Sequence, residues 1–454
     1  MGIKILNSFL RKSVDSGITQ VKLSKFKGKV AVIDVSNLLF RYLYSQKDKY
    51  LIGFLMVFQR LVENSIYPIF CFDGLPPREK AKTLTKRQNA IKKRHKKISD
   101  VSLAIGLLDD IIDKKYSGCL SRSPEFNPIP NNEYKIQNEE HFYRLLLEGK
   151  KPHFNNISLA EIEKLRLRFQ TELARNNQKC TKITKKIIDD LKELFKLLNI
   201  KYLHSRDKIE ADLLCSSMVR KGFADFAISD DLDLLPLGCP TILRNFNYDT
   251  ENVTEYYLDN IIEELHLDNL DNLIDLCLVC GTDYTNKISQ IKNANDLSYI
   301  IDNLKKSKTI NDFITEYAND SSSDEDSIDP DEYTLGKSFF KRDYELSYMV
   351  ADHNFQLNTL PNEMLSKNDN MENNINENQP GGMRLTNNFG SENYQKVINY
   401  VQCHSPSHNP ILLQEIMKNL ENIYTDEYRN QFQYKIDHIG ICDQLVQKEH
   451  NIKN

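Results

Sequence analysis

The sequence predicts an α/β chain built on a parallel-type central sheet flanked by helices. Three apolar runs have the length and composition of buried strands: Val30–Val35 (VAVIDV), Pro68–Phe72 (PIFCF) and Phe223–Ser229 (FADFAIS). Helical patterns separate them, and alternating strands and helices form doubly wound sheets.

Taken in order, the first strand leads to Leu51–Glu63 (LIGFLMVFQRLVE), apolar around most of its circumference, as a sheet-covering helix is. Between Ser99 and Ile157 the pattern weakens to a helical piece near Val101–Ile112, a Pro/Asn-rich loop (SRSPEFNPIPNNEYK) and a further short helical piece. Ser158-x-x-Glu161 has the spacing of a capping box and opens a second long helix. Lys185–Leu198 carries an i, i+3, i+4, i+7 stripe, and Lys208–Gly222 (KIEADLLCSSMVRKG) reads as a helix whose start holds Glu210 and Asp212. The run DSSSDEDSIDPDE reads as an acidic linker, and Pro361–Tyr394 as an Asn-rich disordered segment. The last stretch is helical in pattern.

At 454 residues, 40% hydrophobic and 27% charged, the chain is long enough for two or three domains around a sizeable core. Its net charge of −4 announces no nucleic-acid partner for the chain as a whole, so any basic surface is local. Nine cysteines scattered through apolar runs read as reduced thiols of an intracellular protein. No run of 18 apolar residues occurs, and no membrane partner is expected. Cys277-x-x-Cys280 lies in an apolar setting without a second pair and reads as core thiols; Cys403, His404 and His408 lack a fourth zinc ligand.

Each strand ends in aspartate: Asp34, Asp73, and the trio Asp230, Asp231 and Asp233. One such residue ordinarily caps a helix or opens a turn. Three sets together converge on the carboxyl edge of the sheet, where open parallel sheets bind ligands. Glu210, Asp212 and Asp283 (in LCLVCGTDY) add to them. So many clustered carboxylates cannot all stay ionised without compensating cations. All-oxygen donors select Mg²⁺ or Mn²⁺ over zinc, and two such ions about 4 Å apart serve in-line attack on phosphodiesters. The acids therefore point to phosphoryl chemistry.

Directly after Asp73, nine of the eighteen residues from Lys80 to Lys97 are Lys or Arg, with no acid. Lys80 and Arg87, seven apart, share a face if both are helical. A charge run is usually a solvated face; its place beside a candidate metal ligand favours phosphate contact, with Lys86, Lys92, Lys93 and Arg94 as further contacts. Phe40 is placed either to stack a base or to fill the core.

These residues resemble the flap endonuclease group of XPG-type, structure-specific 5′ nucleases. MGIKIL, KVAVIDVSNLLFRYLY, ENSIYPIFCFDGLPPREKAKTLTKR, IEADLL, SDDLDLL and LCLVCGTDY fall in family order over residues 1–97 and about 180–290. The resemblance implies a PIN-like nuclease domain carrying a helical arch, and two Mg²⁺ ions (Mn²⁺ able to substitute). It implies hydrolysis of DNA near a 5′ flap or single-strand/duplex junction, by flap endonuclease and 5′–3′ exonuclease activity, in replication and repair. By motif match, the metal carboxylates are Asp34, Asp73, Glu210, Asp212, Asp231, Asp233 and Asp283. Lys80 and Arg87 match the arch cations that contact the scissile phosphate, Arg60 matches an arginine that contacts DNA, and Phe40 matches the base-stacking aromatic. Asp230 matches no family carboxylate and reads as a solvated neighbour.

The chain departs from the family pattern in several places. TNKISQIKNANDL lacks the glycine of the family's duplex-gripping hairpin, Glu210-x-Asp212 replaces Glu-x-Glu, and no Gln-x-x-Leu-x-x-Phe-Phe clamp peptide stands near the C-terminus. The expected organisation is a nuclease region with the first arch helix (1–99), an arch insertion (100–157) and an internal nuclease region (158–265). A degenerate helix–two-turn–helix region (266–318), a linker holding a short ordered piece (319–390) and a C-terminal helical region (391–454) follow. A monomer is expected, in the nucleus or at a cytoplasmic site of DNA replication. Two alternatives use the same residues: a 5′–3′ exonuclease on single-stranded DNA or RNA, and a nuclease fold that binds nucleic acid without cutting.

Overall fold

Continuous β-branched and aromatic runs with no polar face demand burial on both sides, and the sheet provides it. The computed structural model describes residues 3–45, 49–118, 144, 159–180, 182–318, 329–354, 391–405 and 408–433. Its sheet has eight strands: β1 (Ile18–Lys22), β2 (Val30–Asp34), β3 (Tyr67–Phe72), β4 (Lys201–Ser205), β5 (Phe226–Ile228), β6 (Thr241–Arg244), β7 (Asn252–Tyr257) and β8 (Val350–His353). The spatial order is β1-β7-β6-β5-β2-β3-β4-β8. The five central strands, β6 to β4 in that order, pair in parallel, and β7, β1 and β8 add antiparallel edges. Every residue of β2, β3 and β5 is buried. The expected α/β class with a parallel central sheet is the fold of the chain.

The chain divides into two compact units. The first comprises residues 1–42, 48–80 and 183–454, and the second 43–47 and 81–182.

In the first unit, the helix Tyr50–Glu63 buries ten of its residues and the helix Ala211–Arg220 buries eight. The former packs on β3, the latter on β2, β3 and β5. The C-terminal region joins the same core. The helix Pro410–Ile423 packs on Tyr50–Glu63, and Ser391–His404 packs on Lys185–Leu197. Rings close the contact: Tyr424 meets Phe58 at 4.9 Å between centroids and Phe432 meets Tyr67 at 5.2 Å.

The linker reading needs correction at both ends. Asp329 caps a helix, Pro330–Phe340, through its side chain, and Pro330 sits in the first turn, where its missing N–H costs nothing. Tyr394, placed in the disordered stretch, is buried in the helix Ser391–His404. The remainder, residues 319–328 and 355–390, lies outside the described residues, as do Ser158 and the Pro/Asn-rich loop.

The second unit is a pair of helices, Ala81–Gly118 and Leu159–Lys179. The first runs unbroken through the expected boundary at residue 99, so the basic run and Val101–Ile112 are one helix. Val101, Ala104 and Leu108 bury against Ile162, Leu165 and Phe169, and Lys97 pairs with Glu172 at 2.6 Å. That apolar seam anchors a helix whose basic half has no core of its own. Among the described residues no helix is long and apolar enough to cross a membrane.

Candidate metal-dependent active site

Strand register brings the acids together. Asp34, the last residue of β2, lies beside Cys71 of β3, and Ile33 lies beside Ile228 of β5. Asp73 and Asp231 therefore leave the same edge of the sheet as Asp34, which is 5% exposed. Burial first, then the charge of Asp73, push the Asp34 carboxyl up to about 7. Its Oδ1 accepts the main-chain N–H of Asn37 at 3.1 Å, and the Ser229 hydroxyl donates to its other oxygen at 3.2 Å.

Asp73 follows β3 directly, and its Oδ1 accepts the Ala211 N–H at 2.7 Å. It thus caps the helix Ala211–Arg220. Glu210 is the N-cap residue by position, yet its carboxylate turns to other partners. It accepts from the Lys80 ammonium at 2.7 Å and from the Tyr284 hydroxyl at 2.8 Å. Burial raises the carboxyl of Glu210, with Lys80 opposing, and burial together with the charge of Asp34 raises that of Asp212.

Asp231 caps the short turn Leu232–Leu234 by accepting the Asp233 N–H at 3.2 Å, while its own N–H donates to the Ser229 hydroxyl at 3.2 Å. Asp233 is 5% exposed, and burial and the charge of Asp231 hold its carboxyl well above the usual range. Its Oδ1 is buried without a hydrogen-bond partner. Asp283 ion-pairs with Lys80 at 2.9 Å.

Lys80 departs from expectation. It closes the short turn Arg78–Lys80 instead of opening the helix, so the shared helical face with Arg87 does not form. Only 6% exposed, it lies between Glu210 and Asp283 with its ammonium 5.4 Å from the Tyr284 ring centroid. Arg87, Lys86, Lys92 and Lys93 are exposed on the helix Ala81–Gly118, and Arg94 is half-buried there. Arg60 donates to the Thr250 carbonyl at 3.3 Å and pairs with Glu63 at 3.7 Å; Phe40 is half-buried.

Asp230 is not merely solvated. Arg41 clamps its carboxylate, the Asn245 N–H donates to it at 2.8 Å, and its own N–H donates to Asn37 at 3.2 Å. Ser229, Asn37 and Tyr284 also escape the sequence reading, although Ser229 and Tyr284 each adjoin a flagged acid.

Among the described residues no three His, Cys, Asp or Glu side chains form a ready-made coordination group. The donor chemistry nevertheless fits hard divalent cations. The acids offer oxygen donors only, the buried Asp233 Oδ1 has no partner, and Asp34, Asp212 and Asp233 are each pushed up by the charge of Asp231. Cys277 and Cys280 are both buried free thiols.

A parallel sheet with a cluster of acids at its carboxyl edge, and a buried lysine beside Glu210 and Asp283, is the arrangement of a nuclease-type α/β protein. Residues 1–94 match the XPG N-terminal domain and residues 199–283 the XPG I-region. Over those two stretches the chain is similar to the XPG-type nuclease family. It is 24% identical to flap endonuclease 1 of Enterocytozoon bieneusi over 69% of its own length and 72% of that protein. It is 22% identical to flap endonuclease 1 of Homo sapiens over 76% of its length and 73% of that protein. A solved flap endonuclease-1 from Methanococcus jannaschii aligns at 17% identity and a TM-score of 0.48, covering 91% of this chain and 98% of that one.

Proposed function

We propose that this chain is a structure-specific 5′ nuclease that hydrolyses DNA phosphodiesters at 5′ flaps or single-strand/duplex junctions, with Mg²⁺ as cofactor. The observation that carries the reading is the convergence of acids from three strand ends on one edge of the sheet, beside a buried lysine that ion-pairs with Glu210 and Asp283. Asp34, Asp73, Glu210, Asp212, Asp231, Asp233 and Asp283 would hold the ions. Bound there, the metal supplies a water acidified towards neutral pH and charge for the phosphate oxygens.

The protein's own groups do the rest. Ser229 and Asn37 orient Asp34, and Tyr284 orients Glu210. Lys80 places a cation where charge develops on the phosphate. Arg87, Lys86, Lys92, Lys93 and Arg94 supply backbone contacts, Arg60 a further one, and Phe40 a stacking face. Replication and repair intermediates inside the cell are the natural substrates.

The test compares the wild type with Asp34→Ala and Asp231→Ala on a 5′-flap substrate with Mg²⁺. Both variants lose cleavage and keep DNA binding; undiminished cleavage sinks the assignment. A second reading, a 5′–3′ exonuclease on single strands, is favoured by one feature. The stretch after Asp283, from Thr285 to Leu297, has no glycine, and Cβ atoms obstruct close approach of backbone amides to phosphate. Cutting a single strand as fast as the flap would establish it.

A further inference from the structure

Asp73 sits on a turn whose polar groups are tied one by one to the segment following β4. Gly74 N–H donates to the Ile209 carbonyl at 3.2 Å, Lys208 N–H to the Leu75 carbonyl at 2.7 Å, and Ala211 N–H to the Asp73 carboxylate at 2.7 Å. The two segments are pressed together so closely that a Cβ on Gly74 would stand 2.2 Å from the Arg206 carbonyl oxygen. The Asp73 carbonyl is held differently, by a side chain: His204 Nε2 lies 2.8 Å from it.

The His204 ring is itself fixed. Lys192 Nζ lies 2.6 Å from its Nδ1 and 2.7 Å from Asp352 of β8, over the faces of Phe72 and Tyr202 at 5.6 and 5.3 Å from their centroids. An ammonium carries only donors, so Nδ1 is the acceptor. The ring proton is therefore on Nε2, where it meets a carbonyl oxygen that can only accept. Geometry alone selects one tautomer and one ring orientation.

We infer that His204 is a positioning residue for the metal-dependent reaction, holding the Asp73 peptide so that its carboxylate faces the acid cluster, with Lys192 and Asp352 orienting the ring. Groups behind a ligand set its aim, and their loss typically costs ten- to a hundredfold in metal affinity or activity. The inference rests on the nuclease reading of Asp73, and the experiment separates the two.

Mn²⁺ binding without DNA is measured by calorimetry, and single-turnover cleavage of a 5′ flap in parallel, for wild type, His204→Leu, His204→Gln, Lys192→Met and Asp73→Ala. His204→Leu should weaken Mn²⁺ binding and slow cleavage by about tenfold. His204→Gln, whose amide N–H has a similar reach, should recover most of both, and Lys192→Met should fall between. A role in packing alone would leave the glutamine no better than the leucine, and that result overturns the inference. So does wild-type Mn²⁺ affinity in His204→Leu. Should the leucine variant not fold, Lys192→Met decides: reduced Mn²⁺ affinity supports the inference and wild-type affinity overturns it. If Asp73→Ala itself binds and cuts as the wild type does, the nuclease reading falls, and this inference with it.

Discussion

The Lys80 ammonium lies 2.7 Å from Glu210 and 2.9 Å from Asp283, buried among carboxylates that repel one another. Its charge directly offsets two members of the cluster. Removing one partner of a buried pair strands the other charges. Lys80→Met should therefore destabilise the protein in EDTA by about 3 kcal/mol, with part of the loss restored by Mg²⁺. Flap cleavage should fall by about 10²–10³. Thermal unfolding with and without Mg²⁺, together with single-turnover kinetics, checks both; an unchanged melting temperature in EDTA would refute the structural half.

The acids themselves set a pH dependence. The Asp34 carboxyl titrates near 3.8 when unfolded and is pushed up to about 7 by burial and by Asp73. Asp212 and Asp233 shift in the same direction. A raised carboxyl means that the folded state binds more protons across this window, so stability falls as pH rises through it. In EDTA the melting temperature should drop from about pH 4 to about pH 7, and the Mg²⁺ increment should grow over the same range. A flat profile in EDTA would count against a charge-strained cluster.

What the sequence discloses follows the range of the forces involved. Asp34, Asp73 and Asp231 are legible because β2 and β3 are unbroken apolar runs that end in acids, and strand ends of a parallel sheet share an edge. The strands β4, β6, β7 and β8 escape the pattern, being short or antiparallel, with polar residues that face partners remote in sequence. The acid run DSSSDEDSIDPDE resembles a linker in composition, yet its Asp329 and Pro330 start a helix. Lys80 reads as helical and exposed because charge patterning says nothing of two acids more than a hundred residues away.

The C-terminal helices make a prediction of their own. Tyr428 is buried against Tyr67, and its hydroxyl donates to the Ile66 carbonyl at the entry to β3. Tyr428→Phe keeps the ring and leaves that carbonyl short of a donor, which should cost about 1 kcal/mol in urea unfolding. Ending the chain before Ser405 would uncover Phe58 and Tyr67 and should lower the melting temperature far more. A truncated protein as stable as the full chain would show that these helices are dispensable.

Asp230 and Asp231 are adjacent in sequence but differ in task. Asp231 faces the acid cluster, while Asp230 is tied to Arg41, to Asn245 N–H and, through its own N–H, to Asn37, whose N–H in turn holds Asp34. Asp230 thereby links the ends of β2 and β5 without joining the cluster. Asp231→Ala should abolish cleavage, whereas Asp230→Ala should slow it by about tenfold by loosening two metal-ligand candidates at once. If the pair works as one clamp, Arg41→Met should cause a similar loss and the double variant no more than either single one. Additive losses would show that Arg41 and Asp230 act separately. Abolition by Asp230→Ala in a folded protein would place Asp230 in the cluster itself.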